Sequence, residues 1–206
     1  YCCPCNFRRI IAELPGMIYY HRNEGLAINM YAKSSAVLDI KKGLSLEVRQ
    51  TTDYPNSGKV VIHLKPSKPT NFPLYLRIPR WCEKANIATN GDTTMMTAGG
   101  GSFFMVSRRW KAGDEVRLQM PMPLRLVKGR KSQAGRVAVM RGPMLFCLNP
   151  ERQKDFDPEI MRLIWLDPTS LKLSGRDDSI RPNGLTCEAK FWNPNNYNAA
   201  GKPNIK

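Results

Sequence analysis

Apolar and polar residues alternate along most of this chain, cut at short intervals by turn residues, and this pattern constrains its fold more than any other feature. Val60, Ile62 and Leu64 alternate with Val61, His63 and Lys65, and the same period recurs at Leu74, Leu76 and Ile78 and at Val116, Leu118 and Met120. A period of two sends successive side chains to opposite faces, so these segments predict half-buried antiparallel strands. Between them fall Asn23-Glu24-Gly25, Lys41-Lys42-Gly43, Asn56-Ser57-Gly58, Asn90-Gly91 and Ala112-Gly113-Asp114. Those residue types suit turns, and short strands spaced in this way indicate a sandwich or barrel.

A helical period occurs only near the start. Phe7, Ile10, Ile11 and Leu14 stand at i, i+3, i+4 and i+7, predicting an amphipathic helix from Asn6 to Leu14, capped by Asn6 and ended by Pro15-Gly16. Pro121 and Pro123 interrupt the ladder, which places a boundary in residues 121–124 before new strands at Val137–Met140 and Met144–Leu148. Residues 150–158 are polar, and beyond Arg181 the chain is rich in Asn, Pro and Gly, with Phe191-Trp192 as its last apolar anchor. It reads as an excised piece of a longer protein, short of its final strands.

The 206 residues are 42% apolar and 24% charged, which is globular usage. No stretch approaches the ~18 to 20 apolar residues that cross a bilayer, so no membrane partner is expected. A formal charge of +15 raises the question of nucleic acid. Apart from Arg108-Arg109 and Lys128-Gly129-Arg130-Lys131, however, the basic residues alternate singly with apolar ones, as on a solvated sheet face. No nucleic-acid partner is expected.

Cysteines stand at 2, 3, 5, 82, 147 and 187. Three crowded at one end and three scattered make a poor disulfide framework, so Cys82, Cys147 and Cys187 are expected to be core thiols. The adjacent Cys2 and Cys3 are poor disulfide partners and good soft-metal ligands. Neither a His nor a carboxylate lies nearby in sequence to complete a four-ligand zinc shell, so a metal here would need donors from outside this chain. The alternative is a pair of inert thiols at a helix start.

Other candidates have plainer readings. His63 alternates with Ile62 and Leu64 and should face solvent, while His21 follows Tyr19-Tyr20 close behind the helix; two such histidines do not make a triad. Asp155, Asp157, Asp177 and Asp178 sit in polar, turn-forming stretches. Gly99-Gly100-Gly101 lacks the Lys-Ser/Thr of a phosphate loop and reads as a hairpin connection. Trp81 and Trp110 read as structural, and Trp192, among Asn and Pro residues, is the indole placed to stack on a sugar.

Several segments together resemble the C-terminal part of the family 127 glycoside hydrolases, the bacterial β-L-arabinofuranosidases. The sharpest is Cys2-Cys3-Pro4-Cys5-Asn6, similar to a Cys-Cys-Pro-Pro-Asn run at the end of that family's helical barrel. There follow, in the family's order, Gly25-Leu26-Ala27-Ile28-Asn29-Met30-Tyr31, Leu76-Arg77-Ile78-Pro79-Arg80-Trp81, Asn90-Gly91, Trp110-Lys111-Ala112-Gly113-Asp114 and Gly135-Arg136-Val137-Ala138-Val139-Met140-Arg141-Gly142-Pro143. Cys5 departs from the pattern, where a second Pro is usual, and receives no catalytic role.

The resemblance implies a mainly β chain: residues 1–16 ending a catalytic (α/α)6 barrel, then consecutive antiparallel β-sandwich domains at 17–123 and 124–206. It implies that Cys2 is the nucleophile of a retaining glycosidase and also meets a zinc ion, and that Cys3 is a zinc ligand. A further Glu and Cys ligand, and the acid/base Glu, would lie upstream of Tyr1. The implied partner is an arabinose-containing glycan or glycoside, in a bacterial periplasmic or cytoplasmic protein; the alternative is a non-catalytic module whose β-sandwiches support a barrel, form a homodimer contact or bind glycans. A free thiol, with a pKa of about 8.5, is mostly protonated at neutral pH, and zinc would hold it as thiolate. On this reading the chain alone is inactive, because its acid/base group lies elsewhere.

Overall fold

The computed structural model describes residues 2–92, 95–148, 164–179 and 182–192, apart from the side chain of Cys2. Asp155 and Asp157 lie outside the described residues. The chain divides into two compact units, Tyr1–Met122 and Pro123–Lys206.

The first unit opens with α1 (Cys2–Glu13) and a 3-10 turn (Leu14–Met17). The helix starts earlier than its apolar period suggests. Pro4 is tolerated in a first turn, where the backbone N–H has no intrahelical acceptor anyway, so the helix can run back through it to Cys2. Asn6 is therefore not the cap: it lies inside the helix and accepts a hydrogen bond from Arg9 Nη2 at 3.0 Å. Every described side chain of α1, from Cys3 to Glu13, is exposed, and the stripe of Phe7, Ile10 and Ile11 is 67%, 51% and 52% accessible.

Two sheets follow. One has four strands in the order β1 (Tyr19–Arg22), β2 (Gly25–Ile28), β6 (Thr70–Ile78), β9 (Ser102–Trp110). The other has six in the order β3 (Ser34–Lys41), β4 (Leu44–Thr52), β5 (Lys59–Pro66), β10 (Asp114–Gln119), β7 (Lys84–Thr89), β8 (Met96–Gly99). Leu26, Leu74, Leu76 and Trp110 of the first share one buried core with Leu46, Val48, Ile62, Leu64, Ile87 and Val116 of the second. This is a β-sandwich, and the alternation in the sequence is its inner and outer faces. No helix among the described residues is long and apolar enough to cross a membrane.

Two details depart from the sequence reading. Strands β2 and β6 are parallel, with Leu26 opposite Leu74 and Ile28 opposite Leu76, whereas every pair was expected to be antiparallel. The residues of β2 are all buried, as befits a short strand lodged in a parallel pair. The Gly99-Gly100-Gly101 run is not a hairpin: it carries the chain from β8 in one sheet to β9 in the other. A Cβ on Gly100 would stand 2.4 Å from the Cys82 carbonyl oxygen, so the crossing needs a residue without one.

Gly25, which opens one of the resemblance motifs, has a similar cause. A Cβ there would lie 2.1 Å from the Pro73 carbonyl oxygen across the β2–β6 pair. Backbone cannot yield as a flexible side chain can, so Gly25→Ala should destabilise the chain by about 2 to 3 kcal/mol. A urea titration read by tryptophan fluorescence would measure this; an unchanged midpoint would mean that β2 does not approach β6 so closely.

The second unit has β11 (Leu124–Lys128), β12 (Val137–Arg141) and β13 (Met144–Phe146) in one antiparallel sheet. Two short antiparallel pairs accompany it, β14 (Trp165–Leu166) with β17 (Phe191–Trp192), and β15 (Lys172–Arg176) with β16 (Leu185–Glu188). The scattered cysteines divide: Cys82 is buried at 1% accessibility, but Cys147 is exposed and Cys187 half-buried, so only the first is a core thiol. Residue 147 lies just past the end of β13.

Candidate functional site

Cys2 is the first residue of α1; the placement of its side chain lies outside the described residues. Cys3 and Cys5 are exposed on the same first turns. Two residues apart on a helix they project to opposite sides, so they do not chelate one ion together. Among the described residues no three His, Cys, Asp or Glu side chains converge on a point that could hold a metal. The donor chemistry of Cys2 and Cys3 suits a soft divalent ion, but this chain supplies only part of a four-ligand shell.

The connector behind α1 is tied to the sandwich by hydrogen bonds. Ile18 O accepts from Asn29 N at 2.9 Å and from Met30 N at 3.4 Å, and Asn29 Nδ2 donates to Met17 O at 3.0 Å. Asn29 lies one residue past the end of β2, where the parallel ladder with β6 stops. Its carbonyl, without a strand partner, accepts from Arg77 Nε at 2.5 Å. The Tyr31 hydroxyl in turn donates to Arg77 O at 2.7 Å and its ring meets Tyr54 edge-on at 6.0 Å. Burial pushes the Tyr31 phenol far above its ordinary range, so it remains a neutral donor.

Beside this cluster Gln50, 1% accessible, donates from Nε2 to Met30 O and to the Tyr19 hydroxyl, each at 3.2 Å. Two motifs of the resemblance, Gly25–Tyr31 and Leu76–Trp81, thus meet in space at Asn29, Tyr31 and Arg77.

The next two motifs also meet each other. Asp114, buried at 2%, accepts from Asn90 Nδ2 at 3.1 Å and from Lys111 N at 3.0 Å, while Asn90 Oδ1 accepts from Glu115 N at 2.8 Å. Asn90 and Gly91 both have positive φ, 53° and 70°, and Asp92 N donates to Thr89 O at 2.9 Å, which makes them the centre of a tight turn directly after β7. Asn90-Gly91 and Trp110–Asp114 therefore lock the ends of the sandwich and offer no chemistry of their own.

The remaining candidates take the plainer readings. His63 stands on the outer face of β5, its Nδ1 3.4 Å from Glu115 Oε2, and His21 is exposed on β1. Asp177 accepts from Ser179 N at 2.9 Å and Asp178 from Asn183 N at 2.5 Å, which are turn contacts. Trp81 packs against the core and Trp110 lies within it. Trp192 is half-buried, its ring 6.3 Å from that of Trp165, in a groove of about 1290 Å³ also lined by Phe146, Leu166 and Phe191.

Sequence reasoning missed Asn29, Gln50 and Arg77. The motif positions of Asn29 and Arg77 were visible, but their partners lie 12 to 48 residues away in the chain.

Comparison with known proteins bears on this arrangement directly. Residues 25–122 match the family model for the β-L-arabinofuranosidase GH127 middle domain, which is the sandwich just described. A non-reducing end β-L-arabinofuranosidase of Bifidobacterium longum subsp. longum is 29% identical over 153 residues, covering 71% of this chain and 23% of that protein. The crystal structure of a GH127 β-L-arabinofuranosidase from Geobacillus stearothermophilus T6 superposes with a TM-score of 0.80 at 27% identity, covering 100% of this chain and 33% of that one. A second GH127 β-arabinofuranosidase structure gives 0.76 at 26% identity, covering 100% and 34%. The chain spans about a quarter to a third of the length of these relatives. With a middle-domain match over residues 25–122 and a shared fold with two solved members, the protein is similar to glycoside hydrolase family 127, the β-L-arabinofuranosidase family.

Proposed function

We infer that this chain is part of a retaining glycoside hydrolase that releases terminal β-L-arabinofuranosyl or related sugars, with the Cys2 sulfur as nucleophile. The observation that carries the reading is position: Cys2 and Cys3 open an exposed helix that a hydrogen-bonded connector joins to the family's middle domain. An exposed helix start suits a group that must reach a substrate held by other parts of the protein, and its unsatisfied N–H groups favour an anion.

The sulfur of Cys2 attacks the anomeric carbon as the glycosidic oxygen leaves with a proton from a carboxylic acid outside this chain. Water then displaces the sulfur from that carbon, giving up its proton to the same carboxylate. Bound zinc would keep the attacking sulfur ionised at neutral pH. Cys2 and Cys3 would hold it from this chain, with a Glu and a Cys from upstream.

Alone, the chain should be inactive. Assayed on an aryl β-L-arabinofuranoside, the 206-residue chain should give no turnover above buffer, whereas the full-length gene product should hydrolyse it. Turnover by the isolated chain would overturn the division of catalytic groups, and none by the full-length protein would leave the sandwiches as a non-catalytic support.

A further inference from the structure

We propose that the loop between β11 and β12 is a binding site for an acidic polysaccharide, whose uronic acid carboxylates it holds. From residue 116 to residue 150 the sequence contains no Asp or Glu, yet Lys128, Arg130, Lys131 and Arg136 fall close together within that stretch. Elsewhere basic side chains find carboxylates across a strand pair, as Lys65 does with Glu47 and Lys172 with Glu188. Among the described residues none of the four loop cations is ion-paired. They repel one another, and an added anion relieves that repulsion. This excess of charge is written in the sequence and does not depend on which other parts of a longer protein stand nearby.

The loop also holds its cations in a fixed arrangement. Gly129 N donates to Arg136 O at 2.8 Å and closes it. Inside, Gln133 N donates to Arg130 O at 2.9 Å, Ala134 N to Lys131 O at 3.0 Å and Arg136 N to Gln133 O at 3.1 Å. These carbonyl oxygens are taken up within the loop, so what it presents outward is cationic side chains. The curl is tight: a Cβ on Gly129 would stand 2.0 Å from Gln133 O, and Lys131 takes a positive φ of 51°. A loop already ordered in this way loses little freedom when it binds.

Each contact on such a surface is weak and screened by salt, so useful affinity needs several anions on one chain. A polymer with a carboxylate on successive sugars supplies them. Arg130 and Arg136 offer planar forks that suit a carboxylate through two parallel hydrogen bonds. No aromatic residue lies between Trp110 and Phe146 in the sequence, so the loop has no ring of its own on which nucleic acid bases would stack. The choice of a glycan rests on the function proposed above; the affinity for a polycarboxylate does not.

Fluorescence anisotropy of a labelled oligogalacturonate about ten sugars long, titrated with the full-length protein and with the 206-residue chain, tests this. Both should bind at about 0.02 M NaCl and release the probe at about 0.5 M, and neutral dextran should not displace it. Combining Lys128→Gln, Arg130→Gln, Lys131→Gln and Arg136→Gln should raise Kd at least about tenfold, with circular dichroism as in wild type. Removing the same charge elsewhere, by Lys33→Gln, Lys42→Gln, Lys68→Gln and Lys84→Gln together, should leave Kd within about twofold. Gly129→Ala keeps every charge but not the curl, and should raise Kd about threefold.

Equal losses in the two fourfold variants would overturn the site in favour of net charge alone, and so would an unchanged Kd in the loop variant. Binding by the 206-residue chain but not by the full-length protein would overturn it too, since the loop would then be covered. A DNA strand of equal charge that binds more tightly than the oligogalacturonate would overturn the class of ligand. Gly129→Ala at the wild-type Kd would overturn the fixed arrangement. The titration reads no turnover. A full-length protein that binds the probe yet leaves an aryl β-L-arabinofuranoside intact would therefore count against the glycosidase reading alone.

Discussion

Replacing Cys2 by Ser in the full-length protein should lower kcat on an aryl β-L-arabinofuranoside by at least about a thousandfold while leaving the fold intact. A serine hydroxyl is almost wholly protonated at neutral pH, so it cannot take the place of a thiolate. The fold should survive because the exchange replaces one sulfur atom by an oxygen and leaves the side chain's shape nearly unchanged. Far-ultraviolet circular dichroism and the thermal midpoint should match wild type. Cys3→Ser is the informative companion, expected to reduce bound zinc and activity together, so that zinc measured per chain separates loss of the attacking atom from loss of the ion. Near-normal turnover by Cys2→Ser would remove that sulfur from the mechanism.

The largest expected effect on stability is at Trp110. Its side chain is wholly buried at 0% accessibility, its ring lies 6.0 Å from Phe72, and its Nε1 donates to Phe72 O at 2.9 Å. Trp110→Ala opens a cavity in the core, which costs about 3 to 5 kcal/mol, and removes a buried hydrogen bond worth about 1 kcal/mol more. Against a total stability of about 5 to 15 kcal/mol, that is enough to leave a sizeable unfolded population or none folded at all. Urea unfolding read by circular dichroism would report it. Trp110→Phe, which fills most of the space but lacks the N–H, should lose clearly less. Equal losses for the two would mean that the hydrogen bond, and not the volume, holds this position.

Both expectations concern residues visible in the sequence, for different reasons. Trp110 could be read as structural because it stands in one of the strand-end motifs of the resemblance, just before a Gly-containing turn. Cys2 and Cys3 stood out by chemistry, since adjacent thiols have few structural uses. Cys147 was misjudged, since its isolation from the other cysteines argued against a disulfide but carried no information on burial, and the thiol is exposed. The helix start was misplaced because its apolar stripe begins at Phe7, whereas the backbone hydrogen bonds that define a helix do not depend on which face is greasy.

Local pattern, read alone, settled what is local. The period of two, the turn residues and the helical stripe set which segments become strands, turns and helix, because strand and helix geometry repeat over a few residues and impose matching repeats on burial. Tertiary structure alone decided which strands pair and where distant groups meet. The parallel match of β2 with β6 and the passage of the chain between sheets at Gly99–Gly101 are of this kind. So is the meeting of Asn29 with Met17 and Arg77, which joins a connector, a strand end and another strand 48 residues on. Such contacts are chosen by the packing of two whole sheets around one core, and no short window of residues carries that information.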